Sequence, residues 1–129
     1  MEMPVPNPEV LAKKARVIAR LQSVLPRDAV IHEETGTRAY ECDALTAYKC
    51  PPLCAILPSS TEEVAAALKV CQEEGVPVVP RGSGTSLAGG ALPTADCVIL
   101  GVARLNDVIE TNYDDRYIRV QAGRTNLSV

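Results

Sequence analysis

Apolar residues near the N-terminus recur at helical spacing. Leu11, Ile18, Leu21 and Leu25, with Ala15, fall on one face; Asn7 is placed to cap the helix, Pro8 to start it and Pro26 to end it. Lys13, Lys14, Arg16 and Arg20 lie off that face, giving either a solvated surface or a docking face. Residues 1–27 therefore read as a helical appendage. From residue 28 to 52 the periodicity lapses, apart from a short strand expected over 29–32. This stretch reads as a long loop over the domain, closed by the turn Cys50-Pro51-Pro52.

The pattern sharpens after residue 53. Cys54-Ala55-Ile56-Leu57 is a short apolar run bounded by prolines, which suits a buried strand. Ser60 and Glu63 form a capping box. Val64, Leu68 and Cys71 follow at helical spacing and Gly75 supplies a stop, which predicts a helix over residues 61–74. A second β-branched run, residues 76–79, completes a strand-helix-strand unit whose strands should be parallel. Further on, residues 97–100 read as a strand and 104–108 as a turn of helix. Residues 109–112 and 117–122 read as a hairpin around Tyr113-Asp114-Asp115-Arg116, with Gly123 breaking its second strand.

The chain has 129 residues, 47% hydrophobic, which suits one folded domain with a core of Val, Leu, Ile and Ala, because Phe and Trp are absent. All four aromatics are tyrosines, the formal charge is −3 and the basic residues are scattered, so a nucleic-acid surface is not expected. The apolar run around residues 97–103 falls well short of the ~18 residues a spanning helix needs. Basic residues interrupt the one segment that could serve as a secretory signal, although a basic N-terminal helix is also a form that organelle import uses. Five cysteines form no disulfide framework or zinc pattern, and the single histidine, His32, lies between Ile31 and two glutamates; reduced cysteines in a cytoplasmic protein are expected. One histidine also leaves little room for a hydrolase constellation.

Chemistry concentrates after the second strand of the unit. Pro80-Arg81-Gly82-Ser83-Gly84-Thr85-Ser86-Leu87-Ala88-Gly89-Gly90 holds four glycines in eleven residues. Glycines let successive backbone N–H groups face one concavity that can hold a phosphate or pyrophosphate, hydroxyls add donors and Arg81 adds charge. The alternative is a mobile Gly-rich turn. A Walker loop is excluded because no Gly-Lys-Ser/Thr follows, and the dinucleotide fingerprint fails where Leu87 occupies its third glycine.

With Tyr40-Glu41-Cys42-Asp43, Leu45-Thr46-Ala47-Tyr48, Leu57-Pro58, the 62–64 helix start, residues 78–93, Val120-Gln121-Ala122-Gly123 and Thr125-Asn126-Leu127, the chain resembles a known family. This is the FAD-binding fold shared by vanillyl-alcohol oxidase and p-cresol methylhydroxylase (PCMH-type), nearest to the flavin subunit of glycolate oxidase and D-lactate dehydrogenases. The resemblance implies an α+β, α/β-like fold: the N-terminal half of the FAD-binding domain, with an N-terminal helix over residues 1–27 and a small mixed or parallel sheet within residues 28–129.

It also implies a cofactor site in which Pro80, Arg81, Gly82, Ser83, Gly84, Thr85 and Ser86 wrap the FAD pyrophosphate while Gly89, Gly90 and Gly123 pass close to the cofactor. FAD is expected to be noncovalent, because Gly84-Thr85-Ser86 stands where some branches carry a linking histidine. The implied parent reaction oxidises a 2-hydroxy acid such as glycolate or D-lactate and passes electrons to an acceptor subunit. Against the family's pattern the chain is expected to be an N-terminal fragment without the cap domain and its catalytic residues, and His32 reads as a surface residue, so it is expected to bind FAD without turnover. The alternative is a noncatalytic module for packing or assembly that binds no flavin. Apolar surface left where the remainder would pack could support a homodimer.

Overall fold

The computed structural model describes residues 3–129; the first two residues of the expected 1–27 segment lie outside the described residues. The N-terminal helix is two helices, α1 (Pro8–Ala12) and α2 (Lys14–Val24). Asn7 caps α1 as expected, accepting from the Glu9 amide at 3.0 Å. The Lys13 amide donates to Val10 O at 3.0 Å, which tightens the chain into a turn before α2 begins. That break rotates the apolar face. Val10, Val17, Leu21 and Leu25 are buried, whereas Leu11 and Ala15 are exposed.

The two helices are a wall of the main core, not an appendage to it. Val17 and Leu21 share one hydrophobic cluster with Leu53, Ile56, Val70 and Val98. Residues 28–52, expected as a loop, hold the two-residue strand β1 (Val30–Ile31) and a single-turn helix α3 (Glu34–Thr37).

A four-stranded sheet carries the rest. Its strands are β1, β2 (Cys54–Ile56), β3 (Val78–Arg81) and β4 (Val98–Gly101), in the order β1-β2-β4-β3. β1 is antiparallel to β2, while β2 and β3 both run parallel to β4. The strand-helix-strand expectation therefore holds with β4 inserted between its two strands. The sheet is mixed, as expected. All four β4 residues are buried, which explains its uninterrupted apolar run.

Helix α4 (Thr61–Glu74) has the expected bounds. Ser60 Oγ accepts from the Glu63 amide at 3.2 Å, and Gly75 closes the helix at φ 66°. Its core face is Ala67, Val70 and Cys71 with Glu74; of the expected face, Cys71 is buried and Val64 packs partly buried against the core, whereas Leu68 is 42% exposed and Ala67 is buried in its place. Strand β3 begins two residues later than expected, and β4 one residue later. Residues 104–108 form no helical turn: the Leu105 amide donates to Val102 O at 2.9 Å and the chain then runs extended.

The second sheet is the hairpin β5 (Val108–Asn112) and β6 (Tyr117–Val120), antiparallel with an irregularity between Val108 and Glu110. Its second strand ends two residues before the expected 122. Beyond it, Asn126–Ser128 form a short 3₁₀ turn.

Candidate functional site

The Gly-rich loop leaves the sheet at the C-terminal end of β3, where parallel strands place ligands in folds of this kind. Its first limb is set by Arg81. The guanidinium turns back to donate from Nη1 to Cys42 O at 2.7 Å and lies over the Tyr40 ring, 5.6 Å from its centroid. Arg81 thus serves the loop by packing and by a backbone contact. Gly84 sits at φ 71°, and a Cβ there would overlap the Arg81 guanidinium, so the loop needs glycine on two counts.

The second limb is stitched by hydroxyl and carboxylate acceptors. Ser86 Oγ accepts from the Gly90 amide at 3.0 Å and from the Ala88 amide at 3.4 Å. Gly89 turns at φ 77°, and the Leu92 amide returns to Gly89 O at 3.1 Å. Asp43 Oδ2 accepts from the Ala91 amide at 3.3 Å. Ser86 therefore acts on the loop itself, which composition could not distinguish from a ligand-facing role.

Between the limbs, the amides of Ser83, Gly84 and Thr85 have no acceptor among the described residues. Ser83 and Thr85 are exposed, and a Cβ added to Gly82 would meet nothing within 4 Å. These three amides are consecutive uncommitted donors, at two exposed residues and the half-buried Gly84.

A cavity of about 420 Å³ brings part of the loop against the segment after β6. Gly82, Ser83, Ala103 and Ala122 to Asn126 line it. Gly123 is held there by its amide, which donates to Leu105 O at 2.7 Å. A Cβ at Gly123 would overlap Val102 O and lie 2.8 Å from Leu105 O. Arg124 donates from Nη1 to Asn106 O at 3.2 Å and from Nη2 to Ser128 O, while its buried Nε has no partner.

Of the expected cofactor residues, the cavity unites Gly82, Ser83 and Gly123. Pro80, Arg81, Gly84, Thr85, Ser86, Gly89 and Gly90 lie outside its lining, on the strand end and the two limbs. Arg124 and Asp43 were missed. Arg124 follows Gly123 immediately, but nothing in its local pattern tells a cavity wall from a surface cation; Asp43 lies in a motif that has meaning only through its contact 48 residues away.

Burial, with the neighbouring Cys71, pushes the Cys54 thiol up to about 12, and burial pushes Cys71 up to about 11, which keeps both as neutral packing groups. No helix among the described residues is long and apolar enough to cross a membrane.

A family model described as FAD binding domain matches residues 52–129. Glycolate oxidase subunit GlcD of Escherichia coli (strain K12) is 40% identical over 116 residues, covering 90% of this chain and 23% of that protein. The GlcD subunit of Bacillus subtilis is 36% identical over 94 residues, covering 73% of this chain and 20% of its own length. A D-lactate dehydrogenase of Anaerostipes hadrus is 28% identical over 108 residues, covering 83% of this chain and 22% of the enzyme. Among solved structures, p-cresol methylhydroxylase with substrate bound superposes at a TM-score of 0.84 with 21% identity, over 96% of this chain and 25% of that one. The fold is thus part of the PCMH-type FAD-binding fold, and the chain spans about a quarter of the relatives it matches. It belongs to the FAD binding domain family.

Proposed function

We propose that the chain binds FAD noncovalently, with the pyrophosphate held by the loop from Pro80 to Gly90 and the adjoining part of the cofactor passing Gly123. The observation that carries this reading is the run of uncommitted amides at Ser83, Gly84 and Thr85, next to Gly82, whose Cβ position is open. Such donors, hydrated in the free chain, can exchange water for a diphosphate through charge-assisted hydrogen bonds of roughly 1.5–3 kcal/mol each. The cavity wall adds the unpartnered Nε of Arg124. No histidine stands in the loop, which supports a noncovalent cofactor.

When bound, FAD supplies the capacity to accept a hydride, and the protein supplies position. The parent activity we assign is oxidation of a 2-hydroxy acid of the glycolate or D-lactate class, with electrons leaving to an acceptor subunit. The chain itself holds the phosphate end of the cofactor site. His32 is 34% exposed at its side chain and lies 3.6 Å from Glu33, and we assign this chain cofactor binding without turnover.

Thermal unfolding with FAD, ADP and FMN tests the reading, because ADP retains the diphosphate and FMN lacks it. At 100 times its dissociation constant a ligand adds about 2.7 kcal/mol. FAD and ADP should raise the midpoint and FMN should not. If none of the three shifts it, the loop is no pyrophosphate site and a packing or assembly role replaces flavin binding.

A further inference from the structure

The geometry points to Asp43 as the positioning residue of the loop, the group that holds its returning limb so that the Ser83–Thr85 amides stay aimed at one anion. This inference rests on the proposed pyrophosphate site and assigns a role to a residue outside it. Asp43 is only 4% exposed, and its neighbours explain why a buried carboxylate is tolerated: Oδ1 accepts from the Leu45 amide at 2.9 Å and Oδ2 from the Ala91 amide at 3.3 Å. The first contact is a local turn. The second crosses 48 residues to the position just past Gly90.

The preceding residue grips the other limb. Cys42 O accepts from Arg81 at 2.7 Å, so two consecutive residues, Cys42 and Asp43, hold the loop where it leaves β3 and where it returns. Between these points the loop contains Gly84 and Gly89 at positive φ, conformations that cost a free chain much entropy to select. A loop pinned at both ends loses less freedom when its amides close on a ligand, and that saving appears as affinity.

The substitution Asp43→Asn keeps an acceptor for Leu45 and sets an NH₂ group against the Ala91 N–H, removing one hydrogen bond at nearly constant volume. ADP affinity, measured well below the unfolding midpoint, should weaken about tenfold, the scale of one lost hydrogen bond. Hydrogen exchange at the Ala91 amide in the ligand-free chain should quicken by a similar factor. Asp96→Asn is the control: that carboxylate is 9% exposed and accepts from the Asn7 amide at 2.8 Å, so its loss should lower the unfolding midpoint without moving ADP affinity. Should D43N fail to fold, Asp43→Ser retains an acceptor for the local Leu45 turn and is too short for Ala91, and the same two readouts apply.

Unchanged exchange at Ala91, or an ADP affinity altered equally by D96N, would overturn the assignment. If the unsubstituted chain binds neither FAD nor ADP, the pyrophosphate reading fails by itself. The Ala91 exchange measurement then still decides whether Asp43 holds the limb.

Discussion

Gly82 and Gly123 line the same cavity and differ completely in what surrounds them. At Gly123 a methyl group would overlap Val102 O and crowd Leu105 O, both backbone atoms that cannot swing away. Gly123→Ala should therefore destabilise the ligand-free chain by roughly 1–3 kcal/mol, the usual cost of overpacking. At Gly82 a methyl group meets open space, so Gly82→Ala should leave the unfolding midpoint nearly unchanged while weakening ADP, because the methyl enters the space assigned to the diphosphate. Denaturant unfolding and ADP titration of the two variants check both halves. Equal stability losses would mean that the open space beside Gly82 is absent in solution. In sequence the two glycines look alike, and only the backbone atoms facing them separate a structural glycine from a ligand-facing one.

At the scale of elements, the contact between α2 and α4 is the clearest joint. The Glu74 carboxylate is nearly buried, and Arg20 Nη1 at 2.7 Å and Arg16 Nε at 3.1 Å both donate to its Oε1; Arg20 also pairs with Glu73. Hydrogen bonding from Arg20, aided by the charge of Arg16, holds the Glu74 carboxyl below its usual value of 4.5, and Arg20 does the same for Glu73.

A depressed folded-state value fixes the sign of the pH dependence. The unfolded chain takes up protons first as pH falls below 4.5, so the joint contributes fully above that value and is lost as pH falls through the folded-state value. Asp96 adds to the same trend: burial raises it, but the Asn7 amide and the Thr94 hydroxyl outweigh burial and lower it overall. Glu74→Gln should lower the unfolding midpoint at neutral pH and flatten its decline below pH 4.5; identical pH profiles for the two proteins would show that the joint contributes nothing.

The elements themselves were unequally legible. Helix α4 carries its own start and stop, Ser60 with Glu63 and then Gly75, so its bounds follow from neighbours within four residues. The break at Lys13 has no such mark. Which of Leu11 or Val10, and which of Leu68 or Ala67, faces inward was set by the sheet and by α2, which the local pattern does not contain. Strands β3 and β4 shifted for the same reason, because strand ends are decided by partners and theirs pair with each other.

Over the whole molecule, stability is distributed unevenly. Strands β2 and β4 are entirely buried, whereas the β5–β6 hairpin stands as a separate two-stranded sheet, with Ile109 59% exposed and Val108 and Tyr117 each close to half exposed. Two strands by themselves are marginal in water. The Gln121-to-Asp107 and Gly123-to-Leu105 backbone bonds continue the hairpin's ladder past its strands, as far as Leu105, which is buried. Hydrogen exchange should therefore be faster in β5 and β6 than in β2 and β4, by orders of magnitude at a given pH. Protection in the hairpin equal to that of β4 would show that its exposed face is covered in solution, as a homodimer would cover it.

Sequence alone determined what depends on near neighbours: the capped helix α4, the hairpin turn, the parallel relation of β2 and β3, the Gly-rich loop and the family it resembles. Its fold class followed from those motifs. Tertiary structure decided what depends on distant residues. It inserted β4 between β2 and β3, joined α2 to α4 through Glu74, turned Arg81 inward to Cys42, tied Asp43 to Ala91 and brought Gly82 and Gly123 to one cavity. The physical reason is range. Capping and turn preferences act over a few bonds of chain, whereas burial and hydrogen-bond satisfaction are decided among groups that meet only once the chain has folded.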